Sequence, residues 1–188
     1  MTDRAEIMKH LKNSIRIVSI ILLFNSCSTL KIVKQDRSSI VAISATSSGF
    51  SVKGYGILIT LENIDTYERY KSQSFSSISP HSAIQNIPQG RYFVQKVEIP
   101  IGNIIYSNWS EDVKTFFGQI NIEPSSKYYL GDFTASVKIG IKNVLKLQIN
   151  NQNIPEKIKE KIELGKTGWS EGEFIKLYPH EKKVLWVY

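Results

Sequence analysis

Cysteine is almost missing from this chain: among 188 residues there is one, Cys27. No internal disulfide can form, and a cysteine-rich zinc site is excluded. Histidine is nearly as scarce, with only His10, His81 and His180 to draw on for a metal cage or for acid–base work. The sequence holds no Gly-x-Ser-x-Gly elbow, no glycine-rich phosphate loop and no His-Glu-x-x-His helix. Eleven glycines and six prolines carry no fibre period. Long hydrophobic runs are missing too. The apolar stretch 17–24, broken by Ser19, covers about eight residues where a spanning helix needs roughly 20. What remains, 41% hydrophobic and 22% charged, is the composition of an ordinary globular protein. The length allows one domain of ordinary size, or two very small ones, and excludes a large multidomain enzyme.

The N-terminus is the informative part. Arg4, Lys9, Lys12 and Arg16 precede the apolar run, and the small residue Ser26 follows it, which are the three parts of a secretory signal. Met8 opens a tidier version of that signal, without Asp3 and Glu6. The chain's one cysteine stands directly behind, in Leu23-Phe24-Asn25-Ser26-Cys27. This stretch resembles the lipobox of bacterial lipoproteins, with Phe24 where leucine is usual and Asn25 bulkier than the usual residue. The resemblance implies cleavage before Cys27 and acylation of its thiol. Two or three acyl chains, each buried CH₂ contributing about 0.8 kcal/mol, suffice to hold a protein on a membrane. Ser28 behind the cysteine resembles the signal for release to an outer membrane. The expected organisation is a signal over 1–26, a tether over 27–39 and a domain over 40–188.

Without residues 1–26 the chain keeps 20 basic and 15 acidic residues, a modest surplus that suits anionic envelope surfaces rather than nucleic acid. The densest basic stretch, Lys157, Lys159 and Lys161, is interleaved with Glu156, Glu160 and Glu163 and reads as a solvated face.

The rest of the chain alternates apolar and polar residues with the period of strands. Tyr55, Ile57, Ile59 and Leu61 share one parity, as do Phe116, Ile120 and Ile122, then Leu145, Leu147 and Ile149, then Val184, Trp186 and Tyr188. Segments 40–45, 82–87, 91–99 and 127–133 have the β-branched and aromatic content of strands, with a parity slip at Gln95 and Lys96 that predicts a bulge. One helix is expected, over 155–164, starting at Pro155, stopping at Gly165 and carrying an apolar stripe of Ile154, Ile158 and Ile162. The fold class predicted is all-β, a single two-sheet sandwich of prealbumin or immunoglobulin type with one short C-terminal helix.

Two turns carry a second resemblance. Ile87-Pro88-Gln89-Gly90-Arg91-Tyr92 and the run from Phe117 through Pro124 to Tyr129-Leu130-Gly131 are similar to the paired turn signatures of small prealbumin-like domains, such as the carboxypeptidase regulatory domain. Many bacterial lipoproteins resemble these. Ser125 stands where that pattern has glycine. The match runs from Ile84 to Phe133 and implies a sandwich, not an activity.

No group is placed for catalysis. His81 and His180 each follow a proline and read as exposed loop residues, and Glu111-Asp112, as strand neighbours, would point apart. Glu171 and Glu173 read as solvated loop charge. Trp109, Trp169 and the pair Tyr67 and Tyr70 sit in polar, loop-like contexts, where an exposed ring could stack on a sugar and a covered one would close the core. The expectation is a protein that is not an enzyme and needs no cofactor or metal. It is expected at the bacterial envelope, on the membrane through Cys27, as a structural or protein-interaction module. The alternative is a module for carbohydrate or another envelope ligand using Trp109 and Trp169.

Overall fold

The computed structural model describes residues 30–47, 56–76, 79–101, 104–108, 111–138, 144–151, 153–164, 168–169, 172–177 and 184–187. Among these residues twelve strands form two sheets. They are β1 (Ser39–Ser47), β2 (Leu58–Asn63), β3 (Arg69–Lys71), β4 (Gln73–Ser74), β5 (His81–Ile87), β6 (Gly90–Ile101), β7 (Ile104–Asn108), β8 (Gln119–Ile122), β9 (Lys127–Lys138), β10 (Val144–Asn151), β11 (Phe174–Lys176) and β12 (Val184–Val187). The first sheet runs β12-β10-β9-β1-β5-β4, with β11 on the early half of β9, and the second runs β3-β2-β6-β7, with β8 on the early half of β6. The chain is an all-β sandwich. Most pairs are antiparallel, but β9 runs parallel to both β1 and β11.

The core between the sheets follows the alternation. Val41, Ile43 and Ala45 of β1 face Ile57, Ile59 and Leu61 and the inward side of β6. The expected bulge is present: Thr60 pairs with Lys96 and Leu61 with Val94, leaving Gln95 over, so Val94 and Val97 both point inward.

Two expectations need correction. Phe116 is not in a strand. Residues Glu111–Phe117 form a helix, and Val113, Phe116 and Phe117 fall on one face at the i, i+3, i+4 spacing that a helix buries. Gly118 ends it with φ +67° and an N–H bonded to the Lys114 carbonyl at 2.8 Å. Glu111 and Asp112 therefore open a helix rather than oppose each other on a strand, and Glu111 pairs with Lys114 at 2.7 Å. Among the described residues there are thus two short helices, not one.

The second correction concerns residues 30–39, expected as a tether. Leu30 and Ile32 are buried against the outer face of the first sheet, beside Ile40, Ala42, Ala83 and Tyr129. The Leu30 N–H bonds the Phe75 carbonyl, and the Val33 and Gln35 N–H groups bond the side chains of Gln85 and Asn86. Residues from Leu30 onward therefore belong to the packed domain, because the first sheet is apolar on both faces and this segment covers one of them. That double burial is why Ile40, Val41, Ala42 and Ile43 run without a polar break. The expected C-terminal helix, Glu156–Lys159 continued as a π-turn over Glu160–Leu164, completes this cover with Ile158 and Ile162. Its expected stop, Gly165, lies outside the described residues.

The motif tyrosines lock the two turns that carry the prealbumin-like resemblance. The Tyr92 hydroxyl donates to the Pro88 carbonyl at 2.9 Å, and the Tyr128 hydroxyl accepts the Glu123 N–H at 2.7 Å. Each ties a sheet-to-sheet connection to the strand behind it, in the manner of a tyrosine corner. Ser125 takes φ +56°, the left-handed conformation for which the usual residue is glycine.

Candidate functional site

The sequence-predicted site residues part company in the structure. Cys27, Trp109 and His180 lie outside the described residues. Trp169 is described, and it is not an exposed platform: it is 1% exposed, seated in the outer cluster with Ile158 and Ile162, with the Lys34 ammonium 4.9 Å from its ring centre. A polar sequence context misplaces it because the surface it covers comes from strands far away in the chain. Tyr70 packs edge-on against Tyr92 at 5.9 Å, while Tyr67, in the β2–β3 loop, stays exposed.

His81 is a further correction. It is the first residue of β5, 8% exposed, and stands opposite Ser44 of β1 in the register. The Ser44 hydroxyl and His81 Nδ1 are 2.7 Å apart. With Ser44 donating, the ring proton sits on Nε2. A serine beside a histidine invites a nucleophilic reading, but Ser44 is 1% exposed, and no described carboxylate hydrogen-bonds the ring. The pair holds a histidine in place rather than arming a serine.

Beyond His81 opens a cleft of about 410 Å³ lined by Phe75, Ser79, His81, Lys157, Glu160 and Lys161. The start of β5, Phe75 and Ser79 between β4 and β5, and the C-terminal helix supply it. The cover of the first sheet positions the helix, so Lys157 and Lys161 reach the β5 end only because Ile158 and Ile162 are buried beside them. The solvated reading of this lysine stretch passed over the cleft. The readable signal was the four-residue spacing of Lys157 and Lys161 next to a buried isoleucine stripe.

Burial, with Lys157 nearby as a smaller cause, pushes the His81 pKa below its ordinary value of 6.5. The unfolded chain therefore takes up a proton at this residue before the folded domain does, and stability falls as the pH drops below about 6.5. His81→Asn, whose amide oxygen can accept the Ser44 hydrogen bond, should flatten that part of a stability-versus-pH profile measured by urea unfolding. An unchanged slope would remove His81 as its source.

Elsewhere the charges are consumed locally. On the outward side of the second sheet Arg69 pairs with Glu62 at 2.6 Å, and Glu98 takes both Lys71 at 2.6 Å and Lys96 at 3.0 Å. Burial raises the Glu98 carboxyl, but the two lysines outweigh it and hold the pKa below the usual range. No cluster of three or more potential metal-ligating side chains occurs among the described residues, and no helix there is long and apolar enough to cross a membrane.

No protein-family model matches the chain, and no curated protein matches it. Among solved structures, a candidate cell adhesion protein from Bacteroides fragilis is similar at 12% identity and a TM-score of 0.29, over 63% of this chain. The match spans 47% of that protein. A likeness of this size fixes neither topology nor role.

Proposed function

We propose that the chain is a lipid-anchored, non-catalytic interaction module of the bacterial cell envelope, carried on an outer membrane by acyl chains on Cys27. The observation that carries this reading is the position of the chain's one cysteine, behind a short apolar run and three residues ahead of Leu30, which is packed in the domain. A folded domain held so close to an anchor is confined to a thin layer, where weak contacts gain from a raised effective concentration. The prealbumin-like turns support a scaffold of the kind many such lipoproteins resemble, and the buried Ser44 hydroxyl gives no starting point for acyl transfer. The ligand-binding alternative loses Trp169, which is covered, and would rest on Trp109.

Fractionation of cells tests the reading. The wild-type chain should sediment with membranes and crosslink there to a specific envelope protein, whereas Cys27→Ser should lose both. The variant His180→Ala should keep both. Selective binding on a glycan array that Trp109→Ala abolishes, with no crosslinked partner, would replace this reading by the carbohydrate one.

A further inference from the structure

The cleft beside His81 gathers positive charge that its surroundings leave unpaired. Lys159 and Lys127, next to it in sequence or space, are committed to Glu156 at 2.8 Å and Glu163 at 2.6 Å. Lys157 and Lys161, which line the cleft, form no ion pair with a carboxylate among the described residues. Glu160 offsets one of them, so the cleft keeps a net positive charge even with His81 neutral. The Ser79 hydroxyl accepts the His81 backbone N–H at 3.0 Å and lines the same space, and with Ser44 donating to Nδ1 the ring keeps Nε2–H as a donor. Phe75, its ring centre 6.2 Å from that of His81, provides an apolar wall. Two ammonium groups, an imidazole N–H and a hydroxyl around an apolar patch are the partners that a small organic anion of phosphate-ester type requires.

Its place on the molecule suggests the source of that anion. The Phe75 carbonyl accepts the Leu30 N–H, so Leu30 adjoins the cleft wall. Three residues at no more than about 3.6 Å each keep Cys27 within about 11 Å of that point. We infer that the cleft binds a phosphate-ester anion, supplied by anionic lipid headgroups of the membrane carrying the anchor. The choice of lipid as source rests on the anchoring proposed above; the anion chemistry of the cleft does not. Bound this way, the domain would present one fixed side to the membrane and the opposite sheet to its partners.

The test uses the full chain carrying Cys27→Ser, so that acylation contributes nothing, sedimented with vesicles of phosphatidylcholine alone or mixed with phosphatidylglycerol. Partition should favour the mixed vesicles, and Lys157→Gln with Lys161→Gln should lower it about 30-fold, roughly fivefold for each lysine near an anionic surface. Lys157→Arg with Lys161→Arg should restore it, and glycerol 3-phosphate should compete. Hydrogen exchange should show glycerol 3-phosphate protecting residues 156–164. Protection by the free ester with no preference between vesicles would support the cleft and overturn the membrane as its source. Equal loss from Lys31→Gln with Lys34→Gln would assign binding to diffuse charge and overturn the cleft, as would no response to ester or vesicle. Acylation of Cys27 in the wild-type chain is read separately by mass, so failure of the anchor and failure of the cleft give different results.

Discussion

Replacing Glu163 with leucine should destabilise the domain by about 3 kcal/mol, because removing the partner of a buried ammonium strands that charge. That other charge is Lys127, 2% exposed at the start of β9, with its ammonium 2.6 Å from the Glu163 carboxylate and 5.1 Å from the Phe174 ring centre. The pair ties the C-terminal helix to the middle of the first sheet, where β1 and β11 flank the same residues of β9. For a domain of this size the loss corresponds to a fall in Tm on the order of 10 °C. The double variant Lys127→Met with Glu163→Leu should recover most of the stability, since an apolar pair of similar volume is often as good as the ion pair it replaces. Urea unfolding of the four proteins in the cycle checks this. Equal losses in Glu163→Leu and the double variant would mean that packing, not the stranded ammonium, causes the effect.

Gly90→Val should cost about 3 kcal/mol, the sum of backbone strain and a clash. Gly90 has φ +154°, and a Cβ there would lie 2.8 Å from Asn63 Nδ2 and 3.3 Å from the Tyr92 ring. Neither neighbour is free to yield. Asn63 caps the β2–β3 loop by accepting the Asp65 and Thr66 N–H groups, and Tyr92 is fully buried with its hydroxyl on Pro88. Ser125→Ala, at the other turn, should stay within about 0.5 kcal/mol as an exposed change. Ser125→Gly should stabilise by about 0.5–1 kcal/mol, because glycine reaches φ +56° without a Cβ penalty. Thermal unfolding of the three variants orders them, and a Gly90→Val protein as stable as Ser125→Ala would contradict the turn geometry described.

These two turns also mark what the sequence made legible. Strand alternation is readable where one face of a sheet is buried and the other is wet, as at Ile120 and Ile122, and the parity slip at Gln95 shows a bulge for the same reason. Reading fails where burial comes from far along the chain. Nothing near Trp169 or Leu30 signals that both cover one sheet face, since that face is built from β1, β5 and β9. His81 reads as a loop residue behind Pro80, yet its pairing with Ser44 across 37 residues makes it the first residue of a strand. Phe116 and Phe117 fit either period over so short a span, and only Val113 three residues earlier favours the helix that forms. The cleft was hidden for a related reason: two of its lysines look like a solvated face until the buried isoleucines beside them turn the helix toward β5.

The central claim is that Cys27 carries the lipid that places this domain at a membrane. Intact-mass and N-terminal peptide analysis of the chain purified from bacterial membranes tests it most directly. The predicted result is a mature chain beginning at Cys27, its thiol bearing a diacylglyceryl group and its amine acylated, with neither modification in Cys27→Ser. A chain that begins elsewhere, or that begins at Cys27 with a free thiol, would contradict the account.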